Sequence, residues 1–273
     1  MGRKRFWSAG VMDMLCFDQH DKWKRFGHWL QLGIDPYSGR IHWIKIWWTN
    51  RNPKPITSYY LDACRKTGGI PLITQSDCGS ENYGIANCHT VTRQRLDPSL
   101  IGTLQHRWMY DTMNIKPEAS WSQTQRQFTP GFENILDQGV ARGLYDISKP
   151  ARFRWLAIPW LQAELDAWVR RYNSAPRRRD KHKILPQGTP DLVVGKPHLY
   201  GTHDYKARGV FRVWLTRLID MQIIVAPELF DEMQQQWAPP DDPVFELTPP
   251  LFTSKIQQIY KSLGCSEVTS HNF

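Results

Sequence analysis

Three carboxylates stand at the ends of predicted elements rather than inside them. Asp18 closes the apolar run Met12, Met14, Leu15, Cys16 and Phe17, which reads as a buried strand. Asp77 follows a second short strand, Ile70-Pro71-Leu72-Ile73-Thr74, and precedes the turn residues Gly79, Ser80 and Asn82. Glu118 comes directly after Pro117. Proline favours the first position of a helix, so Glu118 falls in a first turn, where the helix dipole favours an ionised carboxylate. Two aspartates and a glutamate delivered by two strands and a helix form an oxygen-rich site suited to Mg²⁺ or Mn²⁺. Two such ions about 3.5–4 Å apart clamp the attacking and leaving oxygens of an in-line phosphoryl displacement. Any one of these carboxylates alone is more often a cap, a turn residue or a surface charge. Their joint placement is what argues for chemistry. Asp21 is a weaker substitute for Asp18 as a ligand, because it lies in a polar turn; Glu81 either shapes the site or bonds within its own turn. His20 either orients a water or ligand or is structural, the commoner role for a lone histidine beside a strand end.

The order and spacing of four short motifs add to this. Asp18-x-x-Asp21-Lys22-Trp23, Gly33-Ile34-Asp35-x-x-Ser38-Gly39, Ser76-Asp77-x-Gly79-x-Glu81-Asn82 and Asn114-x-x-x-Glu118-x-x-Trp121 follow one another, with 59 positions from Asp18 to Asp77 and 41 from Asp77 to Glu118. On these residues, from about Met12 to Pro190, the chain resembles the catalytic core of retroviral-type integrases and DDE transposases, in the group found in eukaryotic mobile elements. One departure is that Asn114-Ile115-Lys116-Pro117-Glu118 stands where that family carries an Asn-x-Arg-Ile-Glu type sequence. The resemblance implies an α/β fold of ribonuclease H-like type: a mixed sheet of three antiparallel strands followed by parallel strands, flanked by helices. It implies that Asp18, Asp77 and Glu118 are both catalytic residues and ligands of Mg²⁺ (or Mn²⁺), and that the chain carries out DNA strand transfer as a metal-dependent polynucleotidyl transferase or endonuclease. DNA and a homo-oligomer formed on DNA are the implied partners, with no small-molecule organic cofactor, and the nucleus is the implied location, or the cytoplasm before import. Two other outcomes stay open: a domesticated or decayed core that binds nucleic acid without catalysis, and a ribonuclease H-like nuclease. Because the core begins almost at Met1, a separate N-terminal recognition module is not expected.

The elements that must position the carboxylates follow from the patterning. Asp21 to Gly27 reads as a polar hairpin turn, His28 to Ile34 as a second strand, and Arg40 to Trp48 as a third with simple alternation. Ile56, Tyr59, Tyr60, Ala63 and Cys64 have helical spacing that ends at Gly68-Gly69. The strand after this crossover is expected parallel to the first, which brings Asp77 beside Asp18. Tyr83 to Arg95 is a weak helix and Gly102 to Tyr110 a possible last strand. On the next helix Glu118, Trp121, Gln125 and Phe128 share a face, so Glu118 can look into the site while Trp121 and Phe128 anchor the helix. Helices are also expected from Phe132 to Gly139, and from Phe153 through Trp155, Ile158, Leu161, Leu165, Trp168 and Tyr172 despite Pro159.

A formal charge of +9 over 273 residues favours polyanionic partners. Arg170, Arg171, Arg177, Arg178, Arg179, Lys181 and Lys183 place seven positive charges within fourteen residues and are the candidate DNA-backbone contacts. Such contacts position DNA rather than read its sequence. Five scattered cysteines with no C-x-x-C pair point to reduced thiols of the cytosol or nucleus. No run approaches the ~18 apolar residues that would span a bilayer, and no membrane association is expected. Residues 1–190 are read as the core, with strands from about residue 12, and 191–273 as an irregular C-terminal extension that docks on the core or serves assembly. Within it, Ala207 to Gln222 and Leu251 to Leu263 are expected helices.

Overall fold

The computed structural model describes residues 6–110, 113–143, 150–177, 184–205 and 227–245. Five strands, β1 (Met14–His20), β2 (Trp29–Asp35), β3 (Arg40–Trp47), β4 (Ile73–Asp77) and β5 (His106–Met109), make one sheet in the order β3-β2-β1-β4-β5. The pairs β1–β2 and β2–β3 are antiparallel, whereas β4 and β5 add in parallel. The helices are α1 (Pro53–Thr67), α2 (Tyr83–Leu96), α3 (Ile115–Gln127), α4 (Thr129–Ala141), α5 (Pro150–Ser174), α6 (Pro190–Gly195) and α7 (Pro227–Trp237).

Alternation along β1 sends its side chains to two different cores. Met14 and Cys16 join a cluster with Trp121 of α3, Leu136 of α4 and Ile158, Leu161 and Leu165 of α5. Leu15 and Phe17 join Ile56, Tyr60 and Leu61 of α1, Ile85 of α2, and Phe230 and Met233 of α7. Helices therefore cover both faces of a mixed α/β sheet, and Asp18, two residues beyond Cys16, belongs to the face that carries α3.

Several elements differ from the sequence expectation for identifiable reasons. The segment after His20 is a 3₁₀ turn over Lys22–Phe26, and it is not merely polar: Trp23 and Phe26 are buried, with Trp23 stacked 6.3 Å from Phe128. The β4 strand begins at Ile73 rather than Ile70, so Asp77 is its last residue. Thr74, Gln75 and Ser76 do not look like core residues, yet all three are buried because each finds a partner. Thr74 Oγ1 and Ser76 Oγ lie 2.8 and 3.2 Å from the ring nitrogens of His106, and Gln75 Nε2 donates to Asn114 Oδ1 at 3.3 Å. In β3 the simple alternation fails at a bulge, where the register shifts between Gly33 and Ile34. Ile41, Ile44 and Ile46 consequently line one core while Trp43 turns to the other. Gly33 makes this possible, since a Cβ there would collide with the Trp43 indole. The following hairpin is held by Asp35, fully buried, whose carboxylate accepts from Ser38 Oγ at 2.5 Å and from the Tyr37 and Ser38 amides.

As the outer strand, β3 has an unpaired edge, which α5 covers with two side-chain amides. Asn173 Oδ1 accepts from the Ile41 amide at 3.0 Å and its Nδ2 donates to the Ile41 carbonyl at 2.8 Å. Gln162 does the same for the Ile46 amide and Ile44 carbonyl, both at 3.0 Å. These contacts satisfy an edge that would otherwise template another strand. Beyond residue 190, α7 buries Phe230 and Met233 against α1, Trp47 Nε1 donates to the Val244 carbonyl at 2.9 Å, and Lys54 pairs with Asp242. The expected helices at 207–222 and 251–263 lie outside the described residues. Among the described residues, no helix is long and apolar enough to cross a membrane.

Candidate active site

The register of the parallel pair fixes where the first two carboxylates meet. Met14, Leu15 and Cys16 lie opposite Ile73, Thr74 and Gln75. Two residues past the last of these pairs, β1 carries Asp18 and β4 carries Asp77, so both aspartates stand at the same end of neighbouring strands. Gln75 reaches Asn114 at the start of α3, so the alternate residue Asp77 shares the α3 face with Asp18.

Asn114 brings in the third. Fully buried, it donates through Nδ2 to the Phe17 carbonyl at 3.0 Å and accepts from Gln75 Nε2 at 3.3 Å. One side chain thus ties the head of α3 to β1 one residue before Asp18 and to β4 two residues before Asp77. The helix starts at Ile115, two residues earlier than Pro117 suggested. A proline at the third position is tolerated because amides of the first turn have no intrahelical acceptor to lose. Glu118 remains in the first turn, and its side chain is exposed. Trp121, one turn on, is buried and donates its Nε1–H to Asp18 Oδ2 at 3.1 Å, while the Gln19 amide donates to Oδ1 at 2.9 Å.

The electrostatics show that the three groups interact. Burial first, and then the charge of Asp77, push the Asp18 carboxyl up to about 7; its two hydrogen bonds oppose this and Glu118 adds to it. Asp77 is raised as well, by desolvation and then by Glu118. Its Oδ1 is buried and accepts no hydrogen bond. The far side of Asp77 is held through its carbonyl, which accepts from Asn82 Nδ2 at 3.0 Å, while Asn82 Oδ1 accepts from Gln19 Nε2 at 2.6 Å. That bridge links the ends of β1 and β4. Among the described residues, no group of three or more His, Cys, Asp or Glu side chains is placed so that it could hold a metal ion as it stands.

The neighbours named from sequence fall into place around this corner. His20 stacks flat on Trp121, with ring centroids 4.7 Å apart, and burial followed by Lys22 holds it down at about 4, so it is neutral near pH 7. Asp21 is exposed at the start of the 3₁₀ turn, and Glu81 sits half-buried in a 3₁₀ turn beside Gly79. Sequence reasoning gave Asn114 no task beyond its place in a motif. A buried Asn before a first-turn acid is a signal only once the strands it joins are known.

The basic tract is placed in part. Arg170 and Arg171 are exposed at the end of α5. Arg177 is half-buried, with its guanidinium 3.7 Å over the Tyr172 ring, and it donates to the Gly39 carbonyl at 3.3 Å. Gly39 belongs to the β2–β3 turn, two strands across from β1 and at the end of the sheet away from Asp18. From strand spacing and rise, that separation is roughly 15 Å. Arg178, Arg179, Lys181 and Lys183 lie outside the described residues. No protein-family model matches the chain, and no curated protein matches it.

Proposed function

We propose that the chain is an integrase-type catalytic core of ribonuclease H-like fold that transfers DNA strands. The observation that carries this is the convergence of Asp18, Asp77 and Glu118, from two adjacent parallel strands and a helix start, on one corner of the sheet. The strand order, with three antiparallel strands and then two parallel additions, supports the fold assignment.

Asp18, Asp77 and Glu118 would hold Mg²⁺ or Mn²⁺. The donor set suits a hard cation: three carboxylates, of which Asp77 and Glu118 make Asp18 costlier to ionise and Glu118 does the same to Asp77, whose buried Oδ1 accepts no hydrogen bond. When bound, the ions supply Lewis-acid stabilisation of the attacking and leaving oxygens at phosphorus. The protein's own residues do the positioning. Trp121 and the Gln19 amide fix the rotation of the Asp18 carboxylate, Asn114 holds the helix head that carries Glu118, and the Gln19–Asn82 bridge keeps Asp77 from drifting off the sheet. Neutral His20 packs on Trp121 and leaves the corner's charge to the carboxylates. Arg170 and Arg171 are free to meet phosphates some distance along the duplex from the reacting one, in the manner of backbone contacts that set orientation.

The test is strand transfer by the purified chain on labelled DNA ends in Mg²⁺ or Mn²⁺, beside Asp77→Asn. Joined strands that vanish with Asp77→Asn while the far-ultraviolet spectrum is unchanged support the proposal. Hydrolysed ends without joining assign the site to a nuclease. Salt-sensitive DNA binding with neither product assigns the chain to a non-catalytic core.

A further inference from the structure

Beside the carboxylate corner lies a set of aromatic side chains of which Tyr83 and Tyr110 are exposed and Trp108 is half-buried. Tyr83 opens α2 directly after Asn82, the residue that bonds the Asp77 carbonyl, and is 55% exposed. Its ring meets that of Trp108 edge to face, with centroids 5.3 Å apart and planes at 86°. Trp108 sits opposite Ser76 in the β4–β5 register, one position before the pair Asp77 and Met109. It is supported from beneath by His106, at 4.2 Å, which is itself held by Thr74 and Ser76. Tyr110, immediately after Met109, is 64% exposed. The inward-facing members of α2, Ile85 and Cys88, already complete the core on that side, so the exposure of Tyr83 serves no packing need.

The chemistry of the rim distinguishes among partners. β5 is the outermost strand, and its Arg107 is exposed with no carboxylate partner among the described residues. Arg107 lies opposite Gln75 and so shares the face of Asp77, while Trp108 and Tyr83 occupy the other face. A strand of nucleic acid passing round this edge would set phosphate toward Arg107 and a base against the rings. Two rings at right angles form a step: a flat base stacked on one meets the edge of the other. Paired bases inside a duplex do not offer that face.

Resting on the proposed function, we infer that Tyr83 and Trp108 form a stacking step for an unpaired nucleobase, so that the site takes nucleic acid that is single-stranded or locally opened where it passes Asp77. Base–aromatic stacking makes alanine substitution worth about 5- to 100-fold in affinity. Anisotropy of a fluorescein-labelled oligothymidylate and of a blunt duplex of the same length, in calcium, tests this with wild type, Tyr83→Ala and Tyr83→Phe. Tyr83→Ala weakens the oligothymidylate roughly 5-fold or more, Tyr83→Phe retains it, and the duplex is little changed. No binding of oligothymidylate by the wild type, equal losses on both probes, or no loss on either overturns the inference. So does loss of self-association in sedimentation with oligothymidylate binding intact, which would make the patch a protein contact. Strand transfer measured on the same preparations separates the two claims. An active wild type whose Tyr83→Ala variant binds oligothymidylate normally removes the step and leaves the function. An inactive wild type that loses oligothymidylate on Tyr83→Ala does the reverse.

Discussion

Replacing Asp18 by asparagine is expected to make the metal-free protein more stable at pH 8, not less. The carboxyl has an ordinary value of 3.8 and is held at about 7 in the folded chain. A raised carboxyl means that the fold tolerates the neutral form better than the ionised one. Below about pH 4 the group is neutral in both states and costs nothing. Between about 4 and 7 the unfolded chain ionises first and stability falls, and above about 7 the full cost is present. Roughly three pH units correspond to about 4 kcal/mol as an upper bound. The amide introduced by Asp18→Asn would keep one oxygen for Trp121 Nε1 or the Gln19 amide but not both, and one lost hydrogen bond, with an NH₂ facing an N–H, subtracts about 1–2 kcal/mol. The net expectation is a gain of about 1–3 kcal/mol at pH 8 that disappears near pH 4. Urea denaturation in EDTA at both pH values measures it. Mg²⁺ added at pH 8 should narrow the gap, because an ion held by Asp18, Asp77 and Glu118 stabilises only the state that binds it. A variant that is equally or less stable than wild type at pH 8 in EDTA would refute the premise that like charge and burial are concentrated at this corner.

Two further substitutions probe the supports. Asn114→Ala strands the buried Phe17 carbonyl and the Gln75 amide, and should cost about 2–4 kcal/mol in chemical denaturation; a change below roughly 0.5 kcal/mol would mean that α3 is held by packing alone. Gly33→Ala drives a methyl into the Trp43 indole at a closed site, and should cost about 1–3 kcal/mol, or roughly 2–10 °C of melting temperature for a chain of this size. An unchanged melting curve would place Trp43 elsewhere.

Much of the frame was legible because it rests on local rules. Alternation along Met14 to Phe17, the helical spacing of Ile56 to Cys64 ending at Gly68, and the need for a crossover before a parallel strand together predict Asp18 and Asp77 at neighbouring strand ends. Gly68 takes the left-handed conformation that such a helix end requires. Strand β4 was displaced by three residues because its middle is polar. Thr74, Gln75 and Ser76 are buried only through partners at His106 and Asn114, 30 or more positions away. The bulge in β3 was equally hidden, since it depends on a glycine in one strand yielding space to a tryptophan in the next.

Residue types and their order thus determined which groups could do chemistry here and on which elements they ride, because helix, strand and turn preferences act over a few residues. Tertiary structure alone decided the rest: that Asn114 locks the third carboxylate's helix to the other two strands, that Arg177 folds back on Tyr172 and Gly39, and that burial and like charge lift Asp18 to about 7. Those outcomes depend on desolvation and on distances between groups far apart in sequence, quantities that no local pattern encodes.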